Sequence, residues 1–348
     1  MNFHQNIKLP VVFRLGDNIV KDLKQILMEH HLNFRDIVVV SGSSFSNNIA
    51  KEILEHVSGY HYVVSNNSIE TAEALHKYLD VNNIDLVIAV GGGKVQDVVK
   101  YAGFRARINQ LIIPTIISSD GLISPIAVLK DENGLNRSIG VEMPLGVLID
   151  YTIIQKSPKK YLNGAYGDLI SNISALKDWD LAAKSKKVNL NDFAYQLSKN
   201  SIYSILSLKE NDTYSKKIEV LVNGLVNSGI AMSLAGTSRP CSGAEHLLSH
   251  ALDSLWPQNT YLHGVKVGLF SLVTLNLHDG EITKEFEQWM LRFNDNSDMF
   301  EEIENRIGIE VLLKTALTVR SGRFTILDTV TVDQFAKAWK KSKGIFTL

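Results

Sequence analysis

One cysteine, Cys241, stands alone in 348 residues. A single thiol excludes an intramolecular disulfide framework and any cysteine-based zinc ribbon or iron–sulfur cluster, and it suits a reducing cytoplasm. Charge of one sign is missing too: 36 Lys and Arg face 37 Asp and Glu, a formal net charge of −1. Without a basic excess there is no electrostatic footprint for nucleic acid. No run of about 18–20 apolar residues is evident, so no membrane insertion is expected. The polar start, residues 1–10, holds an apolar stretch too short for a secretory signal. The sequons at Asn66 and Asn172 therefore carry no expectation of glycosylation.

What remains is an ordinary globular balance, 45% hydrophobic and 21% charged, enough for two sizeable cores. The first half alternates strand-like and helix-like segments. IVVVS at 37–41, YHYVVS at 60–65, DLVIAV at 85–90 and residues 111–114 read as strands. Helical patterns at 46–56, 68–79 and 95–106 separate them. Runs apolar on both faces, with helices between, mark a parallel sheet covered on both sides. A hairpin is expected from 127–130 through Glu132-Asn133-Gly134 to 137–141, and a last strand at 146–149.

After Asp150 strand signals stop. Helical patterns run over 163–185, 190–209, 215–232, 243–255, 262–277, 283–293, 310–317 and 332–341. The expectation is an α/β, Rossmann-like domain over 1–155 and an all-α domain over 156–348, with the cleft between them as the default ligand site.

Three segments carry chemistry. Gly91-Gly92-Gly93-Lys94 falls between a strand and a helix, where glycines let a phosphate approach the free N–H groups of the helix N-terminus. It is neither a G-x-x-x-x-G-K-[ST] loop nor a clean G-x-G-x-x-G, so a generic phosphate cradle is the reading. Asp97 is placed in the first turn of that helix, where an acid also favours the helix dipole. The second segment, Pro114 to Gly121, sets Thr115, Ser118, Ser119 and Asp120 at the carboxyl end of a strand. They read either as a capping cluster or as hydroxyls for a cofactor and a carboxylate for substrate hydroxyls.

The third is a candidate metal site. Asp168 is placed at the opening of the first helix of the second domain. His246 and His250, four apart, share a helical face, and His263 follows His246 at a spacing of 17. One carboxylate and two or three of these histidines would make three ligands with an open position. His250 is read as a partner of the ligands or as a core residue. The other histidines (His4, His30, His31, His56, His61, His76 and His278) are read as structural.

With these segments in hand, the sequence resembles the iron-containing alcohol dehydrogenase and dehydroquinate synthase superfamily, and within it the sn-glycerol-1-phosphate dehydrogenases. The carrying motifs are GGGKVQDVVKYAGF at 91–104, PTIISSDGLISPIAV at 114–128, GAYGDLIS at 164–171, KDWDLA at 177–182, RPCSGAEHLLSHAL at 239–252 and HGVKVGL at 263–269. The resemblance implies a dehydroquinate synthase-like fold: a Rossmann-like domain followed by a helical one. It implies NAD or NADP held by Gly91, Gly92, Gly93, Lys94, Asp97, Thr115, Ser118 and Ser124. It implies one divalent metal (zinc, alternatively iron or nickel) on Asp168, His246 and His263, with Asp120 near the substrate's hydroxyls. The implied reaction is hydride transfer between dihydroxyacetone phosphate and sn-glycerol 1-phosphate in a cytoplasmic homo-oligomer. Glycerol dehydrogenase, another polyol dehydrogenase or a cyclising lyase are the alternatives. A phosphate needs a cation, for which Arg137, Lys160, Arg239 and Lys266 are candidates.

Overall fold

The structure is a computed structural model, and residues 9–209, 211–278, 284–320 and 322–347 are described. The first eight residues, which include His4, and Thr283, the expected start of one helix, lie outside them. The chain divides into two compact units, meeting in sequence at Pro158.

The first unit is α/β. In chain order it holds β1 (Val12–Gly16), α1 (Leu23–Glu29), β2 (Ile37–Ser41), α2 (Phe45–Leu54), β3 (Tyr60–Val63), α3 (Ile69–Val81), β4 (Leu86–Gly91), α4 (Gly93–Ala106), β5 (Asn109–Pro114), β6 (Ile126–Lys130), β7 (Asn136–Gly140), β8 (Gly146–Asp150) and the short α5 (Tyr151–Ile154). Six strands form one parallel sheet in the order β1-β8-β5-β4-β2-β3, while β6 and β7 pair antiparallel apart from it. Every residue of β2, β4 and β8 is buried, as strands covered on both faces require. On one face Val39, Ile88 and Ile113 pack with Ile49, Ala50 and Ile53 of α2.

From β2 the chain goes outward to β3, then returns to place β4 on the other side of β2. This reversal is a topological switch point, and ligands of open α/β sheets bind beyond the carboxyl ends of strands there. The turn after β4 is the glycine loop. Pairing of β4 with β5 sets Gly91 opposite Pro114, so the second loop leaves the sheet directly beside the first.

The second unit is helical: α6 (Lys160–Lys184), α7 (Asp192–Leu206), α8 (Tyr214–Ala235), α9 (Ala244–Leu255), α10 (His263–Leu277), α11 (Lys284–Met290), α12 (Asp298–Arg306), α13 (Ile309–Ala316) and α14 (Val332–Gly344). One helix corrects the sequence expectation: α8 is long and apolar enough to cross a membrane by length and composition. Its most apolar window is 61% buried inside the protein, as in a core helix packed on α7 and α6.

Helix α10 is buried on nearly every side and packs along α6. Glycines make that contact possible. A Cβ on Gly264 would lie 1.8 Å from the Gly164 carbonyl oxygen, and one on Gly167 would lie 2.1 Å from that of Gly264. Any side chain there would force the helices apart. The crossing falls at the residues next to Asp168 and His263, which is how the fold brings two distant motifs to one place.

Four elements escape the sequence reading. β1 buries only Val12 fully, with Arg14 exposed at its middle, α1 and α5 are only seven and four residues long, and α12 is mostly charged with Met299, Phe300 and Ile303 as its buried face. Two placements also change. Helix α6 begins at Lys160, so Asp168 sits in its third turn rather than at its opening. Helix α4 begins at Gly93, so Asp97 lies past the first turn.

Candidate active-site residues

Asp168 (α6), His246 (α9) and His263 (α10) offer one carboxylate oxygen and two ring nitrogens, all within 4.8 Å of one another. His263 Nε2 stands 3.7 Å from Asp168 Oδ1. The His246 and His263 rings are 5.1 Å apart between centroids. Asp168 is buried, whereas the His263 side chain keeps 40% of its surface open, which leaves room for a further ligand. These three groups are able to hold a metal ion, and the donor set suits zinc, iron or nickel.

A second layer orients them. His246 Nδ1 lies 2.8 Å from Glu245 Oε1. With Nδ1 donating to that carboxylate, Nε2 is the unprotonated nitrogen, the one able to coordinate a metal. Glu245 is fully buried and also accepts from the Gly243 N–H and the Ser174 hydroxyl. Burial raises its carboxyl, but the hydrogen bonds from His246, Ser174 and Gly243 outweigh it and hold Glu245 below its usual value. Asp178 stands beside it, accepting from the N–H groups of Ala244 and Ile326 and from His278 Nε2 at 2.9 Å. Burial pushes its carboxyl up.

The sequence reading missed Glu245 and Asp178, and it read His278 as structural without foreseeing its carboxylate partner. Glu245 immediately precedes a candidate ligand, and Asp178 lies in the KDWDLA motif. Those were the only signals. His250 takes a place against the cluster, its ring 6.3 Å from that of His263. Burial, then repulsion from His246, lowers its imidazole to about 4. The crowding of protein around the His263 ring likewise carries its imidazole well below its ordinary value, even though one edge of the side chain reaches solvent, and His246, Lys266 and His250 add to the shift. Both rings are therefore neutral at pH 7, the form in which an imidazole binds metal.

In the first unit, the glycine loop and the loop after β5 are joined by a hydrogen bond from the Thr115 N–H to the Gly91 carbonyl, 3.1 Å. Cβ atoms on Gly91 and Gly92 would meet Val95 at 2.7 Å and Ile116 at 2.8 Å, so packing alone accounts for those glycines. Gly93 differs. Among the described residues nothing lies within 4 Å of the Cβ it lacks, and it is the first residue of α4. Open space over a helix N-terminus is a cradle for an anionic group. Lys94 is exposed, Ser118 half-buried, and Thr115 and Ser124 buried. Asp120 opens a 3-10 turn, and its carbonyl accepts from the Ile123 and Ser124 N–H groups.

Asp97 points away from the dipole role. Its Oδ1 lies 3.2 Å from Nζ of the fully buried Lys100, which also donates to the carbonyls of Gly121 and Ile126. Burial raises the Asp97 carboxyl despite that lysine. The pair fastens the loop after β5 and strand β6 to α4. At the end of β2, Ser41 Oγ lies 2.9 Å from His61 Nε2, and the residues that follow, Gly42-Ser43-Ser44, include no acid to select a ribose.

Two of the candidate phosphate cations are paired with carboxylates, and a third shares its cavity with acids. Arg137 pairs with Asp131 at 2.7 Å on the β6–β7 hairpin, and the buried Lys266 pairs with Asp253. Lys160 lines a cavity of about 480 Å³ beside the acids Asp298 and Glu302.

Residues 14–158 match the family described as iron-containing alcohol dehydrogenase. The chain is 32% identical over 347 residues to the NAD(P)+ glycerol-1-phosphate dehydrogenase of Thermococcus sibiricus, covering 97% of this chain and 98% of that one. It is 34% identical over 319 residues to the enzyme of the same name from Pyrococcus horikoshii, covering 90% and 91%. Among solved structures it resembles glycerol dehydrogenase from Schizosaccharomyces pombe, with a TM-score of 0.77 at 18% identity over 99% of this chain and 92% of that one, a likeness of fold. Identity of this level along nearly the whole chain places the protein in the glycerol-1-phosphate dehydrogenase family, among the iron-containing alcohol dehydrogenases.

Proposed function

We propose that the protein is a metal-dependent NAD(P) oxidoreductase that interconverts dihydroxyacetone phosphate and sn-glycerol 1-phosphate. The observation that carries the reading is the convergence of Asp168, His246 and His263 in a chain whose relatives bear that activity in their names. A divalent ion on these residues supplies a Lewis acid for the substrate oxygen, and the nicotinamide supplies or takes up the hydride.

The protein's own residues prepare both groups. Glu245 fixes the tautomer of His246, and Asp168 brings a negative charge to a site otherwise made of neutral rings. The ion is assigned as zinc, with iron or nickel suited to the same donors. For the cofactor, the open space at Gly93 fits a phosphate on the amino end of α4, flanked by Gly91, Gly92 and Lys94. Thr115, Ser118 and Ser124 supply hydroxyls from the adjoining loop. Asp97 serves the cofactor by holding that loop through Lys100. Asp120 is assigned to the substrate's hydroxyls.

The test replaces a ligand. Asp168→Ala and His246→Ala are expected to lose bound metal in elemental analysis and to lose NAD(P)H oxidation with dihydroxyacetone phosphate. A metal-free variant that keeps full turnover overturns the assignment. Dihydroxyacetone, run alongside, separates this activity from that of a glycerol dehydrogenase.

A further inference from the structure

In the second unit, three arginines gather where the loop before α9 meets the loop between α13 and α14. Arg239 and Arg323 are only 7% and 8% exposed, while Arg320 is open to solvent. Arg320 Nη1 donates to Ser238 Oγ at 3.3 Å, and Arg323 Nη1 donates to the same oxygen at 3.0 Å. Arg323 Nη2 donates to the Ser242 carbonyl, and Arg239 Nη1 to that of Phe324 at 3.0 Å. All of these acceptors are neutral. Arg323 Nε is buried with no hydrogen-bond partner among the described residues.

Such an arrangement is costly as it stands. Buried cations are ordinarily paired with carboxylates, and here the guanidiniums face one another. Burial, then repulsion from Arg320 and Arg239, brings Arg323 down to about 9. The acids nearby are committed elsewhere. Asp178 serves Ala244, Ile326 and His278, Glu245 serves His246, and Asp328 caps the turn at Thr325. A dianion with several oxygens would satisfy the fork of each guanidinium and relieve the repulsion.

The place is as telling as the charge. Arg323 binds the carbonyl of Ser242, which stands four residues before the ligand His246 across the start of α9. The stretch ahead of α9 thus carries both the anchor of Arg323, at Ser242, and the Gly243 N–H that donates to Glu245, the carboxylate behind His246. We infer that Arg239, Arg320 and Arg323, with Ser238, form the subsite that receives the phosphate group of the substrate. The assignment rests on the function proposed above, since it gives that enzyme its choice of phosphorylated over free ketone.

Two readouts test it. One is the ratio of kcat/KM for dihydroxyacetone phosphate to that for dihydroxyacetone. The other is binding of inorganic phosphate to the metal-loaded protein by calorimetry. Arg320→Gln, at an exposed position, is expected to lower the ratio and weaken phosphate binding on the order of tenfold to a hundredfold, the range for a lost hydrogen bond to a charged group. Arg323→Lys, which keeps the charge and loses the fork, is expected to move both in the same direction. Equal losses on the two ketones, or unchanged phosphate binding in both variants, overturn the subsite. If the wild type oxidises no NAD(P)H with dihydroxyacetone phosphate, the function fails. Phosphate binding that is lost with Arg320 still decides the arginine cluster on its own.

Discussion

The two units build their sites in opposite ways. The glycine loop is made of backbone, from one continuous turn between β4 and α4 and the neighbouring loop after β5 that strand pairing sets beside it. The triad of the helical unit is made of side chains from three helices that meet only because α6 and α10 touch through glycine. A backbone site tolerates change in its surroundings as long as the turn forms. A convergent side-chain site depends on every helix crossing that supports it.

The largest effect should come from the crossing. Gly264→Ala puts a methyl group on a carbonyl oxygen of α6 and is expected to destabilise the protein by ~3 kcal/mol or more, or to prevent folding, as read by urea denaturation. A stability close to wild type would show that the helices part easily. Next is Glu245→Ala, which removes the carboxylate behind His246. Metal affinity should fall roughly 10–100-fold in competition with a chelator. An unchanged affinity would mean that the ring is held by packing alone.

Gly93→Ala sharpens the contrast from the other side. The new methyl group has open space, and alanine favours a helix over glycine by up to about 1 kcal/mol. The melting temperature should hold or rise slightly, while the KM for NAD(P)H rises roughly tenfold, about 1.4 kcal/mol of binding. A loss of stability without a change in KM would refute the cradle.

The smallest expected effect is a pH dependence of the metal-free protein. His250 titrates at about 4 when folded and near ~6.5 when unfolded. Between those values the unfolded chain binds more protons. Stability from this neutral ring is therefore complete above pH ~6.5 and drains away as pH falls toward 4. The urea midpoint should drop between pH 7 and pH 5, and a flat profile would contradict the burial of that ring.

Local patterns carried much of this into view from the residues alone. The hydrophobic runs at 37–41 and 85–90 could bury on both faces only in a covered sheet, and the three glycines after the second could only form a turn. The hairpin was visible in Glu132-Asn133-Gly134. Elements lacking a strong period, such as β1 and α12, were not. Among candidate site residues, the His246-x-x-x-His250 pair showed a shared face but not which ring would stand nearer Asp168. Arg239 was one of four equivalent cations until the fold gave Asp131 to Arg137 and Asp253 to Lys266. Arg320 and Arg323 drew no notice, because a loop arginine looks alike whether it is solvated or buried against two others.

By itself the sequence determined the alternation of strand and helix, the helical second half and the glycine turn after β4, since these follow from side-chain period and backbone freedom over a few residues. Only the tertiary structure decided how the carboxylate and imidazoles that the resemblance named come together, which acids stand behind them and which arginines, among the described residues, lack a carboxylate partner. Those outcomes depend on where helices cross, and a crossing is set by close packing between residues that have no relation along the chain.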